Sequence, residues 1–187
     1  CRQGGARFLS PWEVEIRNGD QVDTLTARSI IIASGARPFV PPIPGIEEMD
    51  ILTSDNLWEL DEQPERLLVL GGGPIGCELA QTFARLGSQV TQVQRQPRLM
   101  VREDPEACQL VKQSLEDSGV QVLTGHNAIR FSNEAGEKYL HVEHEGEEKA
   151  LPFDAVLVAV GRQANTDHLG LETLALPTDP DGTIQTN

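Results

Sequence analysis

A short stretch of apolar residues followed by a glycine turn constrains this chain more than any other feature. Residues 66–78 read Arg-Leu-Leu-Val-Leu-Gly-Gly-Gly-Pro-Ile-Gly-Cys-Glu, and Gly71, Gly73 and Gly76 have the spacing G-x-G-x-x-G. These glycines allow a tight turn, close approach of the backbone to a pyrophosphate and close packing of helix on strand. We predict that the segment binds a dinucleotide, with Pro74 and Ile75 opening the helix whose N-terminus meets the phosphates.

The residues around the turn fit a mononucleotide-binding unit. Leu67–Leu70 is a continuous apolar run, as in a central parallel strand, and Gln89–Val93 is predicted to be the next strand. Gly87 is a stop signal for the helix between them. Its predicted apolar face consists of Ile75, Leu79, Phe83 and Leu86. A glycine turn without a ligand is the alternative, and the order strand–turn–helix–strand disfavours it.

The end of the second strand indicates which dinucleotide binds. A site for NAD usually has Asp or Glu there, which accepts hydrogen bonds from the ribose 2′-OH. This chain has Gln94 followed by Arg95, with Arg98 and Arg102 close behind. Guanidinium groups match phosphate oxygens, whereas a carboxylate would repel them, so we predict NADPH, with NAD still possible. The alternative is that these arginines form a solvated loop face.

Composition narrows the choice of partners. The 187 residues carry a formal net charge of -14, which argues against nucleic acid or an anionic membrane surface. No apolar run reaches the length of a membrane span, and no signal peptide is visible. Cys77 and Cys108 fall in predicted helices and are expected to be buried in a reduced, cytoplasmic protein. Because the first residue is Cys1, we expect a piece of a longer protein.

Short strands and a proline-rich stretch are predicted before the glycine turn. A hairpin turn is predicted at Asn18-Gly19, and Ser29–Ala33 is predicted to be an apolar strand. Residues 39–65 are expected to be a linker, with a short helix from Ser54 to Leu60. The other strand-like segments in this part are Arg7–Leu9, Trp12–Arg17 and Asp23–Arg28.

After the glycine unit, a second helix is predicted to follow Asp104 and to end at Gly119. Its predicted apolar face consists of Ala107, Leu110, Val111, Ser114 and Leu115. The predicted strands are Val120–Leu123, the antiparallel pair Ala128–Ser132 and Tyr139–Glu143, and the buried Ala155–Val160. The predicted fold is α/β: a Rossmann-like, doubly wound parallel sheet with an inserted antiparallel β-meander, preceded by a smaller β-rich part.

Three motifs, in this order, resemble the flavin-dependent pyridine nucleotide–disulfide oxidoreductases, the family of glutathione reductase, dihydrolipoamide dehydrogenase and mercuric reductase. Ile30–Pro38 resembles the segment that closes the flavin domain, and Gly71–Glu78 resembles the glycine turn for the nicotinamide cofactor. Ala159–Thr166 resembles V-G-R-x-P-N-T, with Ala164 in place of the proline. Val101–Glu106 is most similar to mercuric reductase-like members.

The resemblance implies a division into domains. Residues 1–38 would be the last part of an FAD-binding domain with β-meander and closing strand, and 39–65 the linker. Residues 66–162 would be the NAD(P)-binding domain, and 163–187 a return segment toward the flavin domain. The flavin-binding turn, the redox cysteine pair and the dimerisation domain are expected outside this chain. The resemblance therefore implies FAD in the intact protein, a homodimer formed through that missing C-terminal domain, and no catalytic residue in these 187 residues.

Roles for individual residues follow from the resemblance. The three glycines of the turn would contact the pyrophosphate, and Arg95, with Arg98 or Arg102, the 2′-phosphate. Glu78 would bind the nicotinamide carboxamide or pair with a lysine of the missing domain; an ordinary acid near a helix N-terminus is its alternative. The remaining positions would line the nicotinamide pocket (Gly161), touch the domain interface (Arg162) and border the flavin (Ala33, Ser34 and Gly35).

The resemblance implies an oxidoreductase that passes hydride from NADPH to FAD and electrons on to a disulfide or metal-ion acceptor. Two other functions stay open: a non-catalytic module that senses NADP(H), and a flavin-dependent NADH oxidase or peroxidase. A metal site at His141 and His144 with nearby glutamates is a further alternative, but no zinc-like spacing is present. We expect a solvated polar strand and turn there, with His141 and His144 on opposite faces, and no metal.

Overall fold

The structure is a computed structural model in which residues 1–186 are described. The chain divides into two compact units. The first contains Cys1–Arg37 together with the described residues from Arg162 onward, and the second contains Pro38–Gly161. Within residues 1–186, no helix is both long enough and apolar enough to cross a membrane.

The secondary structure consists of mostly short strands and, within the described residues, two α-helices. The helices are α1 (Pro74–Leu86) and α2 (Pro105–Asp117), and 3₁₀ turns occur at Ile46–Glu48, Leu57–Glu59 and Leu171–Leu174. In chain order the strands are β1 (Gly5–Ser10), β2 (Glu13–Asn18), β3 (Gln21–Thr26), β4 (Ala36–Pro38), β5 (Ile51–Leu52), β6 (Arg66–Leu70), β7 (Gln89–Gln94), β8 (Gln121–Thr124), β9 (Asn127–Glu134), β10 (Glu137–His144), β11 (Glu147–Phe153), β12 (Ala155–Val158) and β13 (Arg162–Ala164).

The first unit contains an antiparallel sheet and a two-stranded pair. Strands β1, β2 and β3 lie side by side in sequence order, and Asn18 pairs with Gln21 across the turn that the sequence predicts. Strand β4 pairs with β13. The Arg37 guanidinium fastens this pair, because it donates to Asp167 Oδ2 at 2.7 Å and to Asn165 Oδ1 at 3.0 Å.

The second unit is centred on a five-stranded parallel sheet. Its strands lie in the order β5-β12-β6-β7-β8. Strand β6 therefore has β12 on one side and β7 on the other. The segment that follows β6 emerges at the carboxyl edge of the sheet with a neighbouring chain segment on each side, which is where open parallel sheets bind ligands.

Different layers cover the two faces of this sheet. Leu67 and Val69 of β6 pack with the helices, against residues that include Cys77 and Ala80. Alternate residues of the same strand pack on the other face, against the antiparallel meander β9–β11. Burial on both faces explains the continuous apolar run in β6. The predicted mixed α/β fold with an inserted meander is confirmed, and the meander serves as the second covering layer.

The predicted apolar faces of the helices are partly wrong. Leu86 on α1 is 63% exposed and Leu110 on α2 is 72% exposed, and Ala107 and Ser114 are exposed as well. The predicted Leu115 is buried, and the predicted Leu79 and Phe83 pack against the same core. The other buried residues of the two helices are small: Gly76, Cys77, Ala80 and Cys108. Close packing of a helix favours small side chains, so the size of an apolar residue alone does not mark the buried face. The predicted burial of Cys77 and Cys108 is confirmed.

The strand predicted at Ser29–Ala33 is not formed. Residues 29–35 contain no regular secondary structure, and Ile31 is 90% exposed. A strand requires a neighbouring chain segment for its hydrogen bonds, and none of the described residues forms a ladder with this segment.

Residues 39–65 are not an independent linker, because they belong to the second compact unit. They supply β5 to the parallel sheet, and Ile46, Met49 and Leu57 are buried. The helix predicted from Ser54 is reduced to the 3₁₀ turn Leu57–Glu59. Asn56 Oδ1 accepts the Thr53 N–H at 2.6 Å, a local hydrogen bond that competes with helix formation.

The meander contains a third strand, β11, that the sequence analysis does not predict. Its acidic start at Glu147 and Glu148 resembles a turn, but it pairs along β10. Strand β10 is therefore central, and His141 is only 7% exposed, so the predicted solvated strand is wrong there. His141 Nε2 lies 2.9 Å from Ser132 Oγ, and its Nδ1 lies 2.9 Å from Glu148 Oε1. Within residues 1–186 there is no group of three metal-ligating side chains.

Candidate functional site

The glycine turn follows β6 and is held from both sides. Gly71 N–H donates to Val93 O of β7 at 2.8 Å, and Gly71 has a φ of 118°. A Cβ at Gly71 would collide with the carbonyl of Ala159, which follows β12. A Cβ at Gly76 would lie 2.5 Å from Gly71 O. Strand, turn and helix are thus packed too closely here for any residue larger than glycine.

Gly73 is the place where this packed turn opens. It is the N-cap of α1, and a Cβ there would have no heavy atom within 4 Å apart from its chain neighbours. Pro74 is the exposed first residue of the helix, and Ile75 is half-buried. Within residues 1–186, neither Gly72 N–H nor Gly73 N–H donates a hydrogen bond. Free N–H groups, the positive end of a helix dipole and open space together suit a phosphate group.

The loop after β7 is fastened to this turn. Met100 N–H donates to Gly72 O at 2.7 Å, and Leu99 is buried between the loop and the core. Gln94 is half-buried at the end of β7, with its Nε2 3.4 Å from Arg98 O. The two segments that the sequence analysis singles out, the glycine turn and the arginine-rich loop, are therefore adjacent.

The arginines of this loop differ in their contacts. Arg98 is half-buried, and its Nη2 donates to Val101 O at 2.9 Å. Arg95 and Arg102 are exposed, and neither forms an ion pair with an acid of the described part of the chain. In a protein of net charge -14, guanidinium groups that pair with no carboxylate of the described residues, in a loop hydrogen-bonded to the glycine turn, are suited to an anionic ligand.

Glu78 and Gly161 lie at other positions along the same carboxyl edge of the parallel sheet. Glu78 is exposed on α1, one turn after Pro74. Gly161 follows β12, the neighbour of β6, and its carbonyl accepts the Phe39 N–H at 3.0 Å. Because the carboxyl ends of adjacent parallel strands lie at one edge, Gly161 is on the β12 side of the glycine turn.

Four of the predicted site residues belong to the first unit instead: Ala33, Ser34, Gly35 and Arg162. The Asn165 backbone N–H donates to Gly35 O at 3.0 Å, and the Asn165 side chain donates to Ser34 O at 3.2 Å. Arg162 Nη2 donates to Ala36 O. The two motifs at 33–36 and 162–165 are thus bonded to each other within that unit.

Gln92 contacts the glycine turn and is not among the predicted site residues. It is fully buried in β7, and its Nε2 donates to Gly71 O at 2.9 Å. A sequence signal exists, because a central parallel strand is expected to be apolar on both faces and Gln92 stands between Val90 and Val93. A polar residue at such a position indicates a specific hydrogen bond.

A stacked pair of histidines, also missed, lies beside the end of β7. The rings of His126 and His144 are 4.3 Å apart and nearly parallel, at 6°. Their Nδ1 atoms lie 2.8 Å from Thr124 O and 2.9 Å from Gly125 O, respectively. The His126 backbone N–H donates to Gln94 O at 3.1 Å, which connects the pair to the arginine loop. No sequence pattern predicts this pair, because the two residues meet only through the meander.

The chain is similar to known proteins over almost its whole length. The family model for pyridine nucleotide-disulphide oxidoreductases matches residues 4–187. Similar proteins include mercuric reductase of Staphylococcus aureus, 38% identical over 185 residues, and dihydrolipoyl dehydrogenase of Thermus scotoductus, 39% identical over 191 residues. Each alignment covers 99% of this chain but only 33% and 40%, respectively, of the relative. The chain therefore spans about a third to two fifths of the length of these curated relatives.

A solved structure has the same fold. The HOCl-induced flavoprotein disulfide reductase RclA from Escherichia coli superposes with a TM-score of 0.84 and 31% sequence identity, over 98% of this chain and 41% of that one. The family match extends over nearly the whole chain and includes the glycine turn. This chain therefore belongs to the pyridine nucleotide-disulphide oxidoreductase family.

Proposed function

We propose that this chain is the NADPH-binding part of a flavin-dependent oxidoreductase. In the intact protein, NADPH would supply hydride to FAD, and the electrons would then pass to a disulfide or metal-ion acceptor. The observation that carries the proposal is the opening at Gly73, at the N-terminus of α1 and next to a loop in which Arg95 and Arg102 pair with no acid of residues 1–186. Membership in the family supports it.

The residues present fit NADPH in three places. The free N–H groups of the glycine turn would hold the pyrophosphate. Arg95, together with Arg98 or Arg102, would hold the 2′-phosphate, because guanidinium groups bind phosphate oxygens in pairs. Gly161 would line the nicotinamide end. When bound, the nicotinamide supplies the hydride; the residues of this chain bind and orient the cofactor.

The same proposal gives roles to the other predicted site residues and to the intact protein. The first unit would belong to the flavin domain, with Ala33, Ser34 and Gly35 bordering FAD and Arg162 at the domain interface. Glu78 would bind the carboxamide of nicotinamide or pair with a lysine elsewhere in the intact protein. Relatives named mercuric reductase and glutathione reductase favour a metal ion or a disulfide as the acceptor. The intact protein would be a cytoplasmic homodimer.

Calorimetric titration of the chain with NADPH and with NADH tests the proposal. We expect NADPH to bind about tenfold or more tightly than NADH, since each charge-assisted hydrogen bond contributes about 1.5–3 kcal/mol. Added salt should reduce this preference, because exposed charges are screened. Equal or reversed affinities would remove the assignment of the arginine loop. Failure to bind either dinucleotide would overturn the proposed function itself.

A further inference from the structure

We propose that Gln92 is a positioning residue that orients the glycine turn for binding of the pyrophosphate. By donating to Gly71 O, its side-chain amide holds the peptide between Gly71 and Gly72 so that Gly72 N–H is directed at the ligand. The inference rests on the proposed function, because it concerns how the same site binds a dinucleotide.

The hydrogen bond from Gln92 determines how the peptide between Gly71 and Gly72 is oriented. Gln92 Nε2 lies 2.9 Å from Gly71 O, inside the layer between β7 and α1. No peptide bond of the described chain is cis, and in a planar trans peptide the C=O and the next N–H point in opposite directions. A Gly71 carbonyl held toward Gln92 therefore directs Gly72 N–H away from Gln92. That N–H has no acceptor within residues 1–186, so it is available to a ligand.

The same hydrogen bond removes an obstacle to anion binding. A carbonyl oxygen carries partial negative charge, and a Gly71 carbonyl turned toward the opening would repel the pyrophosphate. Since Gly71 has a φ of 118°, in a region that glycine enters easily, the turn by itself does not fix this peptide. The buried amide of Gln92 selects the orientation in which the carbonyl points away from the ligand.

The other atom of the same amide indicates that Gln92 does more than stabilise the fold. Gln92 Oε1 is buried without a hydrogen-bond partner in the described residues. The amide cannot be turned over to relieve this, because Oε1 would then face Gly71 O, and two acceptors repel each other. An apolar side chain of similar size would remove this unsatisfied oxygen but would leave Gly71 O without its donor, so the two effects on stability largely offset each other. We therefore assign the hydrogen bond to Gly71 a role in orienting the glycine turn and not mainly in stabilising the fold.

The contacts of Gln92 reach the first turn of the helix as well. Its Nε2 lies 3.6 Å from Cys77 Sγ, and a Cβ at Gly76 would lie 3.3 Å from the same nitrogen. One side chain therefore contacts both the glycine turn and the start of α1, the two segments whose N–H groups would meet a phosphate in the proposed site.

The test is Gln92→Met, which keeps the unbranched shape and removes the donor. We expect an unfolding temperature within a few degrees of the wild type. Calorimetry should show NADPH and NADH weakened by the same factor, about fivefold to tenfold, as expected for one net hydrogen bond. Adenosine 2′-monophosphate, which has no pyrophosphate, should bind with unchanged affinity. A residue that only stabilised the fold would not separate these ligands.

Gln81→Met is the matched control. Gln81 also joins two elements through its amide, since its Nε2 donates to Ser114 Oγ at 2.9 Å and to Ser118 Oγ at 3.1 Å between α1 and α2. It lies away from the glycine turn, so its substitution should leave the affinity for NADPH unchanged.

The other possible results contradict either the role of Gln92 or the proposed function. Unchanged NADPH affinity in Gln92→Met would overturn the inference while leaving the proposed function in place. Wild-type chain that binds neither NADPH nor NADH would instead overturn the proposed function. Gln92→Leu, which has a different shape, is measured in parallel. If neither variant folds, Gln92 is a stability residue and the inference is wrong.

Discussion

A methyl group would collide with backbone atoms at Gly71 or Gly76 but not at Gly73. Substitutions at these glycines therefore distinguish an effect on ligand binding from an effect on stability. At Gly73 a Cβ projects into open space, and the backbone is extended. We expect Gly73→Ala to keep nearly the same stability, because the poorer N-cap that alanine makes is offset by the lower conformational entropy of the unfolded chain. NADPH should bind less tightly, because the methyl group would occupy the phosphate opening. Thermal unfolding and calorimetry measure the two effects.

Gly76→Ala provides the contrast. Its Cβ would lie 2.5 Å from Gly71 O, so the helix must move away from the turn. We expect a loss of about 1–3 kcal/mol in the free energy of unfolding, as in overpacked cores. If Gly73→Ala also destabilised the chain by this amount, or bound NADPH normally, the opening would not be the phosphate site.

Arg95 tests the preference for the 2′-phosphate. Because Arg95 is exposed and has no acidic partner in residues 1–186, Arg95→Glu removes no internal ion pair. We expect NADPH to bind about tenfold to a hundredfold less tightly, since a charge-assisted hydrogen bond is replaced by repulsion. NADH, which has no 2′-phosphate, should change little. Arg85→Glu, at the far end of α1, controls for net charge, and an equal loss for both dinucleotides would make Arg95 a general contact.

Individual residues show how much of this site can be predicted from the sequence. The spacing of the glycines and the Gln94-Arg95 pair are local patterns, and their positions at the end of strands follow from the parallel sheet. Gln92 and the stacked pair His126 and His144 depend on contacts between distant segments. Such contacts are set by the packing of layers, which no local pattern contains.

Among the elements, β6 is fixed at its start by an ion-pair network. Asp154 Oδ2 accepts the Arg66 backbone N–H at 2.8 Å, and Asp154 Oδ1 accepts from the Arg66 guanidinium at 2.7 Å. Glu137 Oε1 of β10 accepts from the same guanidinium at 2.7 Å. Hydrogen bonding to Arg66 lowers the pKa of Asp154 and of Glu137, and these carboxylates raise the pKa of Arg66. One arginine thus joins the parallel sheet to the meander.

Asp154→Asn should destabilise the second unit in a pH-dependent way. The pKa of Asp154 is lower in the folded chain than the ordinary value, so its stabilisation is complete above about pH 4 and is lost as the pH falls through the folded pKa. Because Asp154 is partly exposed, we expect a loss of only about 1 kcal/mol at neutral pH. Chemical denaturation at several pH values should show this difference shrinking in acid. Asp61→Asn, at an exposed site, is the control, and a difference that grew in acid would contradict the network.

The elements also show where local sequence patterns are insufficient. The glycine unit, the hairpin at Asn18-Gly19 and the helix after Asp104 are predicted because turn and cap residues mark their ends; Asp104 Oδ1 indeed accepts from Glu106 N–H at 2.8 Å. The strand at Ser29–Ala33 is predicted wrongly, because a strand depends on its partners. The predicted faces of the helices are wrong at Leu86 and Leu110, because the size of an apolar residue does not reveal how closely its part of the helix approaches the core.

For the whole molecule, burial in the layered core predicts the reactivity of the thiols. Cys77 and Cys108 are buried, whereas Cys1 is exposed. Burial raises the pKa of the Cys77 thiol, which reduces its thiolate fraction. We expect a thiol reagent to modify one of the three cysteines rapidly in the native chain and all three after denaturation. Rapid modification of a second thiol in the native chain would show that the helices do not cover the sheet as described.

The central claim for the whole molecule is that one edge of the parallel sheet, between the glycine turn and the arginine loop, binds NADPH. An amide NMR titration of the chain with NADPH tests this most directly. We expect the largest shifts at Gly72, Gly73 and the first turn of α1, and in the loop from Gln94 to Arg102. Titration with NADH should shift the turn but leave Arg95 and its neighbours nearly unchanged. Shifts confined to other parts of the chain, or no shifts at saturating NADPH, would contradict the account.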